Sequence, residues 1–135
     1  MDTQVAVLCD AANDSGGKLN LLGAFDTIFA QQLPAVHPFC CVALRVTFAS
    51  GEEGQHQLQL NLVNDDGRSV MPPINIPVTI ALPEESHFVT CNFIINIPQI
   101  KFDAPGFYSI DLSLDGKMQA RIPLAVKLMP PPQPA

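Results

Sequence analysis

Three histidines, four cysteines and thirteen acidic residues are the side chains here with chemistry to offer. His37, His56 and His87 stand in three separate regions. A zinc triad needs three ligands within about 2.0–2.1 Å of one ion, and this spacing brings no three together. If every strand reverses direction, His37 falls at the opposite end from His87, and His56 opens a strand at the His87 end. His56 then reads as a packed or turn-bonded histidine. Cys9, Cys40, Cys41 and Cys91 contain no pair at zinc-finger spacing. Adjacent Cys40 and Cys41 would point to opposite faces of a strand, so they read as small buried apolar side chains with reduced thiols.

The acids are the more suggestive set. Strand parity puts Asp10, Asp14, Glu52, Glu53, Glu84, Glu85 and Asp115 in loops at one end, seven of the thirteen acids. Calcium takes about 6–8 oxygen ligands, so these are the candidate metal ligands. Their spacing matches no calcium loop, and turns favour Asp for its own backbone bonding. Asp65-Asp66-Gly67 falls at the other end with Asp103. Such adjacent carboxylates form an acid/base pair when buried, and in a turn they are solvated. A Gly-x-Ser-x-Gly elbow and a phosphate-binding loop are both missing. Gly16-Gly17-Lys18 reads as a hairpin turn. No cofactor and no enzymatic activity are expected.

The elements that must position these residues follow a period of two. Val42, Leu44, Val46 and Phe48 share one face, and Leu58, Leu60 and Leu62 alternate with Gln and Asn. Ser50-Gly51-Glu52-Glu53-Gly54 joins them as a hairpin. Tyr108, Ile110, Leu112 and Leu114 lead into Asp115-Gly116, a strong hairpin dipeptide. Met118, Ala120, Ile122, Leu124, Val126 and Leu128 form the apolar face of the return strand. Pro123 lies on its other face and marks an edge or a bulge. Ile74–Ala81, Phe88–Ile97, Gln4–Cys9 and Leu19–Phe29 complete the set. Leu19–Leu33 has a helical alternative that Gly23 and Thr27 weaken. The expected fold is all-β, a single antiparallel β-sandwich of about 7–9 strands with an immunoglobulin-like or related topology. Thirteen scattered prolines argue against a helical bundle.

Asp103-Ala104-Pro105-Gly106-Phe107-Tyr108 resembles the tyrosine corner of immunoglobulin-like sandwiches, in which a Tyr bonds back to upstream backbone. Tyr108, Asp103 and Gly106 are its structural residues, and Tyr108 is the single Tyr of the chain. The core Trp of antibody domains is missing, so this likeness is architectural. A broader resemblance covers roughly residues 4–127. Leu8-Cys9-Asp10-Ala11, then Gly17-Lys18-Leu19-Asn20-Leu21-Leu22-Gly23-Ala24-Phe25-Asp26, resembles an uncharacterised bacterial family of domains of unknown function. Leu44-Arg45, Gly54-x-His56 and Asp66-Gly67-Arg68 carry the same resemblance. It implies a small β-sandwich and no known activity.

Length and composition bound the rest. At 135 residues the chain has room for one domain, expected over 1–128, followed by a proline-rich tail over 129–135. The tail reads as extended and unable to pair in a sheet. Net charge is −6 with seven basic residues, so neither nucleic acid nor an anionic membrane is an expected partner. No secretory leader and no bilayer-length apolar run occur in this sequence, and the expected location is cytoplasmic. Only 15% of residues are charged against 47% hydrophobic. The outward strand positions Gln55, Gln57, Gln59, Asn61, Thr90, Asn92, Asn96, Ser109 and Ser113 are polar and uncharged. Interface cores are similarly depleted of charge. The leading expectation is a non-enzymatic protein-interaction or structural module that self-associates or joins a larger assembly. The alternative is a cation- or ligand-binding sandwich using the acidic loop end.

Overall fold

Alternating apolar and polar residues carry most of this chain into strands, because only an extended backbone puts every second side chain on one face. The computed structural model describes residues 1–130. In chain order the strands are β1 (Asp2–Ser15), β2 (Lys18–Ala24), β3 (Thr27–Ala30), β4 (Ala35–Ala49), β5 (Gly54–Asn64), β6 (Ile74–Ile80), β7 (Phe88–Phe102), β8 (Gly106–Leu114) and β9 (Lys117–Leu128). No helix forms among the described residues. One sheet has the order β2-β1-β4-β7, and the second has the order β3-β9-β8-β5-β6.

The two sheets pack through their apolar faces. Val42, Leu44, Val46 and Phe48 of β4 lie against a layer built from Leu58, Leu60 and Leu62 of β5 and Ile110, Leu112 and Leu114 of β8. Ile122, Leu124 and Val126 of β9 extend that layer. Burying each such side chain contributes about 1.5–3 kcal/mol. No polar or charged residue is fully buried among the described residues. Apolar packing therefore holds the sheets together.

Several expectations need correction. Residues 50–54 do not close a hairpin: β4 and β5 lie in different sheets, so this connection crosses between the sheets. Leu19–Phe29 is not one strand. It breaks at Phe25 and Asp26, where the chain leaves the first sheet for the second. The four-residue β3 then runs parallel to β9, with Thr27 opposite Ala125 and Ala30 opposite Leu128. The sandwich is therefore not wholly antiparallel: its five-stranded sheet is mixed. The reason is that β3 reaches β9 by a crossing between sheets rather than by a tight turn, which lets the two strands share a direction. The return strand β9 also departs from a single apolar face. A register shift between Leu112 and Ser113 sets Met118 opposite the outward Ser113, and Met118 and Leu128 are exposed. Pro123 lies in β9 just before the segment that β3 covers, where a missing N–H removes no bond to β3.

β1 extends past Cys9 to Ser15, and its turn sits at Gly16-Gly17. Cys9 is a pivot, paired with Cys41 of β4 on one side and Ala24 of β2 on the other. Beyond it the β1–β2 hairpin leaves β4 and folds back over the outer face of its own sheet. The Arg45 guanidinium and the Asn92 amide both donate to the Gly17 carbonyl, at 3.1 and 3.2 Å. Asn92 also donates to the Asp14 carboxylate at 2.9 Å. Under this flap Cys9, Cys41 and Ala43 form a second small core with Ala12, Leu19 and Leu21. β9 ends at Leu128, and Met129 N–H donates to the Ala30 carbonyl. Residues 131–135 of the proline-rich tail lie outside the described residues.

Candidate functional site

β1 runs antiparallel to β4, so it begins at the end where β4 finishes and travels away from it. This overturns the strand parity that grouped seven acids. The additional strand β3 and the folded-back hairpin shift the count, and Asp10 and Asp14 do not lie with the other five. Asp10 lies within β1, and Asp14 closes the hairpin turn by accepting from Gly17 N–H at 3.0 Å. Glu53 accepts from Gly51 N–H in its own turn, and Glu84 and Glu85 lie in the β6–β7 connection. Among the described residues no three His, Cys, Asp or Glu side chains are grouped to hold a metal ion. Asp65 and Asp66 sit exposed in a turn that Asn64 ties through the backbone N–H groups of Asp66 and Arg68. Asp103 is exposed and faces Lys101 at 3.7 Å.

The structure does bring Glu52 and Asp115 together, through His56. The imidazole Nδ1 meets Asp115 Oδ2 at 2.5 Å, and Nε2 meets the Glu52 carbonyl at 2.7 Å. The hydrogen bond to Asp115, then that to Glu52, pushes the His56 pKa up. Asp115 also accepts from Gln57 N–H at 2.7 Å, and this bond with the one from His56 holds its carboxyl below the usual range. The Glu52 carboxylate accepts from Ala49 N–H and contacts the Met1 ammonium, which together lower its pKa. A shallow depression of about 300 Å³ lies over this clasp, bordered by Gln57, Val78 and Asp115. His37 stacks obliquely on Phe25 at 5.6 Å, with its buried Nε2 unpartnered. The register of β4 with β7 sets His37 and His87 at opposite ends.

At the other end Tyr108 donates its hydroxyl to the Ala104 carbonyl at 2.6 Å, the bond that defines a tyrosine corner. Its ring packs edge-on against Phe102 at 5.1 Å. Gly106 takes φ +144°, a value that L side chains rarely adopt. The four cysteines are free thiols, with Cys9, Cys40 and Cys41 buried. Burial is the main cause that raises Cys40 to about 11 and Cys41 to about 12. Cys40 enters the main core and Cys41 the second one, so the neighbours do face opposite ways.

β6 and β7 are the end strands of the two sheets along one flank. β7 ends its sheet and pairs on one side only, with β4. From Cys40↔Ile97 to Ala49↔Phe88 the pairing runs without a break. Val89, Cys91 and Phe93 point toward the core yet stay half-exposed, and Phe88 is 61% exposed. Within β7 the one charged residue is Lys101, and Pro98 and the positive-φ Gln99 interrupt its far end. The opposite flank is nearer closure: Thr3 of β1 reaches Gln119 of β9 at 3.4 Å.

These features define a two-sheet, all-β domain with an open flank. The chain belongs to a family of unknown function (DUF6941), whose profile matches residues 4–127. Among solved structures it is similar to a glycosyl hydrolase family 2 member from Bacteroides cellulosilyticus DSM 14838, at 12% identity and TM-score 0.34. That match covers 67% of this chain and 13% of the other. It is also similar to a beta-glucuronidase from glycoside hydrolase family 2, at 10% identity and TM-score 0.33, covering 70% and 11%. The chain thus spans a small part of either structure. No curated protein matches it. No helix among the described residues is long and apolar enough to cross a membrane.

Proposed function

We propose that this is a non-enzymatic protein-interaction module that works by strand addition at the β7 edge, with a second copy of the chain as its partner. The observation that carries the reading is the free stretch from Phe88 to Ile97, ten residues with no charge and no proline. Natural sheets guard their edges with charges, prolines, bulges or short strands. β3 has four residues and β6 carries Pro77 at mid-strand, while β7 is long and bare until Pro98. An antiparallel β7–β7 contact about a two-fold axis opposes no like charges within that stretch, as an isologous interface requires. The added strand would also cover the half-exposed Val89, Cys91 and Phe93.

An immunoglobulin-like topology accords with this reading. In this reading β1-β4-β7 would take the places of strands A-B-E of such sandwiches, and β9-β8-β5-β6 those of G-F-C-C′. Fold alone assigns no activity. Sedimentation over a range of concentrations tests the edge. Wild type is expected to dimerise, and Asn96→Lys, which sets a charge on the outer face of β7, to weaken the dimer at least about tenfold. A strict monomer at high concentration, or a dimer indifferent to Asn96→Lys, overturns the proposal.

A further inference from the structure

Where β1 turns away from β4, two thiols meet. Cys9 and Cys41 are directly opposed in the antiparallel register, and their Sγ atoms are 3.4 Å apart. Both residues are fully buried, and the Cys9 thiol also lies 3.6 Å from the Cys41 carbonyl. Directly opposite antiparallel residues have Cα atoms about 4.5–5.5 Å apart. That separation falls inside the span a disulfide bridges, about 4.4–6.8 Å. Closing the bond therefore needs side-chain rotation and little backbone movement. The other two thiols have no such neighbour: Cys40 stands opposite Ile97, and Cys91 stands opposite Val46.

We propose that Cys9 and Cys41 are an oxidisable pair whose disulfide locks the pivot of the folded-back β1–β2 hairpin. The oxidant is a low-molecular-weight disulfide or a protein dithiol-disulfide. One thiolate of the pair attacks a sulfur of that disulfide, forms a mixed disulfide and releases one reagent thiol. The second thiolate attacks the protein sulfur of the mixed disulfide and releases the other reagent thiol. Two protein thiols are oxidised, two electrons and two protons pass to the reagent, and one S–S bond replaces another. The pair lies beneath Ala12, Leu19 and Leu21 of the hairpin, so reagent reaches it when that flap lifts. Asp14 is part of the latch that holds the flap down, through Asn92 and Gly17. The rate of oxidation thus reports hairpin opening.

Native full-length chain incubated with oxidised glutathione is the test, read by thiol titration and by mass mapping of proteolytic fragments. The expected result is loss of two of the four thiols and a fragment linking Cys9 to Cys41. Asp14→Ala is expected to speed that loss severalfold, and Cys9→Ser and Cys41→Ser each to keep their three remaining thiols. Four thiols persisting in the native chain, under conditions that oxidise the unfolded chain, overturn the pair. So does a link between any other two cysteines. An Asp14→Ala rate equal to wild type overturns control by the hairpin.

Discussion

His56 is joined to Asp115 in an arrangement that a neutral imidazole cannot complete at both of its ring nitrogens. Both ring nitrogens face acceptors, the Asp115 carboxylate at 2.5 Å and the Glu52 carbonyl at 2.7 Å. A neutral ring has one N–H to give, and the imidazolium has two. The charged form is therefore the one this clasp selects, and the clasp ties the β4–β5 turn to the β8–β9 turn.

Stability should follow the two titrations in opposite senses. The folded pKa of His56 is raised, so its contribution is complete below the ordinary value of about 6.5 and is lost as pH rises through the folded one. The folded pKa of Asp115 is lowered, so its contribution is present above about 3.9 and is lost as pH falls through the folded one. Melting temperature should be highest between about pH 4 and 6.5 and decline above neutrality. His56→Gln should flatten the alkaline decline. An unchanged slope in that variant would sink the assignment.

Leu60 and Leu112 are register partners between β5 and β8, and each is at most 1% exposed. Replacing either by Ala leaves a cavity in a core with no polar lining. The expected cost is about 2–5 kcal/mol, read as a lower urea midpoint with an unchanged slope. A loss under about 1 kcal/mol would mean that the sheets do not pack as described.

Tyr108→Phe removes one oxygen and keeps the ring against Phe102. The Ala104 carbonyl then loses the 2.6 Å bond that closes the β7–β8 connection. The expected loss is about 1 kcal/mol in chemical denaturation. Tyr108→Leu should cost more, because the edge-on ring contact goes as well.

Gly23 and Gly17 separate backbone strain from crowding. Their φ angles are +69° and +79°, so an added Cβ is disfavoured at both. At Gly17 nothing lies within 4 Å of that Cβ, whereas at Gly23 it would run into the Asp10 carboxylate. Gly17→Ala should cost about 1–2 kcal/mol. Gly23→Ala should exceed it by about 1 kcal/mol or more, measured as the difference between the two unfolding free energies. Equal losses would show that Asp10 moves aside freely.

Much of the fold was legible because it rests on local alternation. Leu58, Leu60 and Leu62 declared their strand and their buried face, and Asp115-Gly116 declared its turn. Tyr108 marked its corner because its acceptor, Ala104, is only four residues upstream. What stayed hidden depends on partners far apart in the chain. The His56–Asp115 pair spans 59 residues, and the Arg45–Gly17 bond that folds the hairpin back spans 28. Nothing near Leu19–Phe29 announces that its second half will find β9. The grouping of seven acids failed for the same reason, since the direction of β1 depends on β4.

The parallel pairing of β3 with β9 also sets the order of events during synthesis. β3 has no other strand beside it, so Thr27–Ala30 leaves the ribosome with no sheet to join. Its partner residues, 125–128, are made 98 positions later. Until then the five-stranded sheet lacks both its last strand and the short strand that covers it. Closing such a long loop is entropically costly and slow. Closure of the five-stranded sheet by β9 and β3 is therefore expected to come late, after the other pairings have their partners.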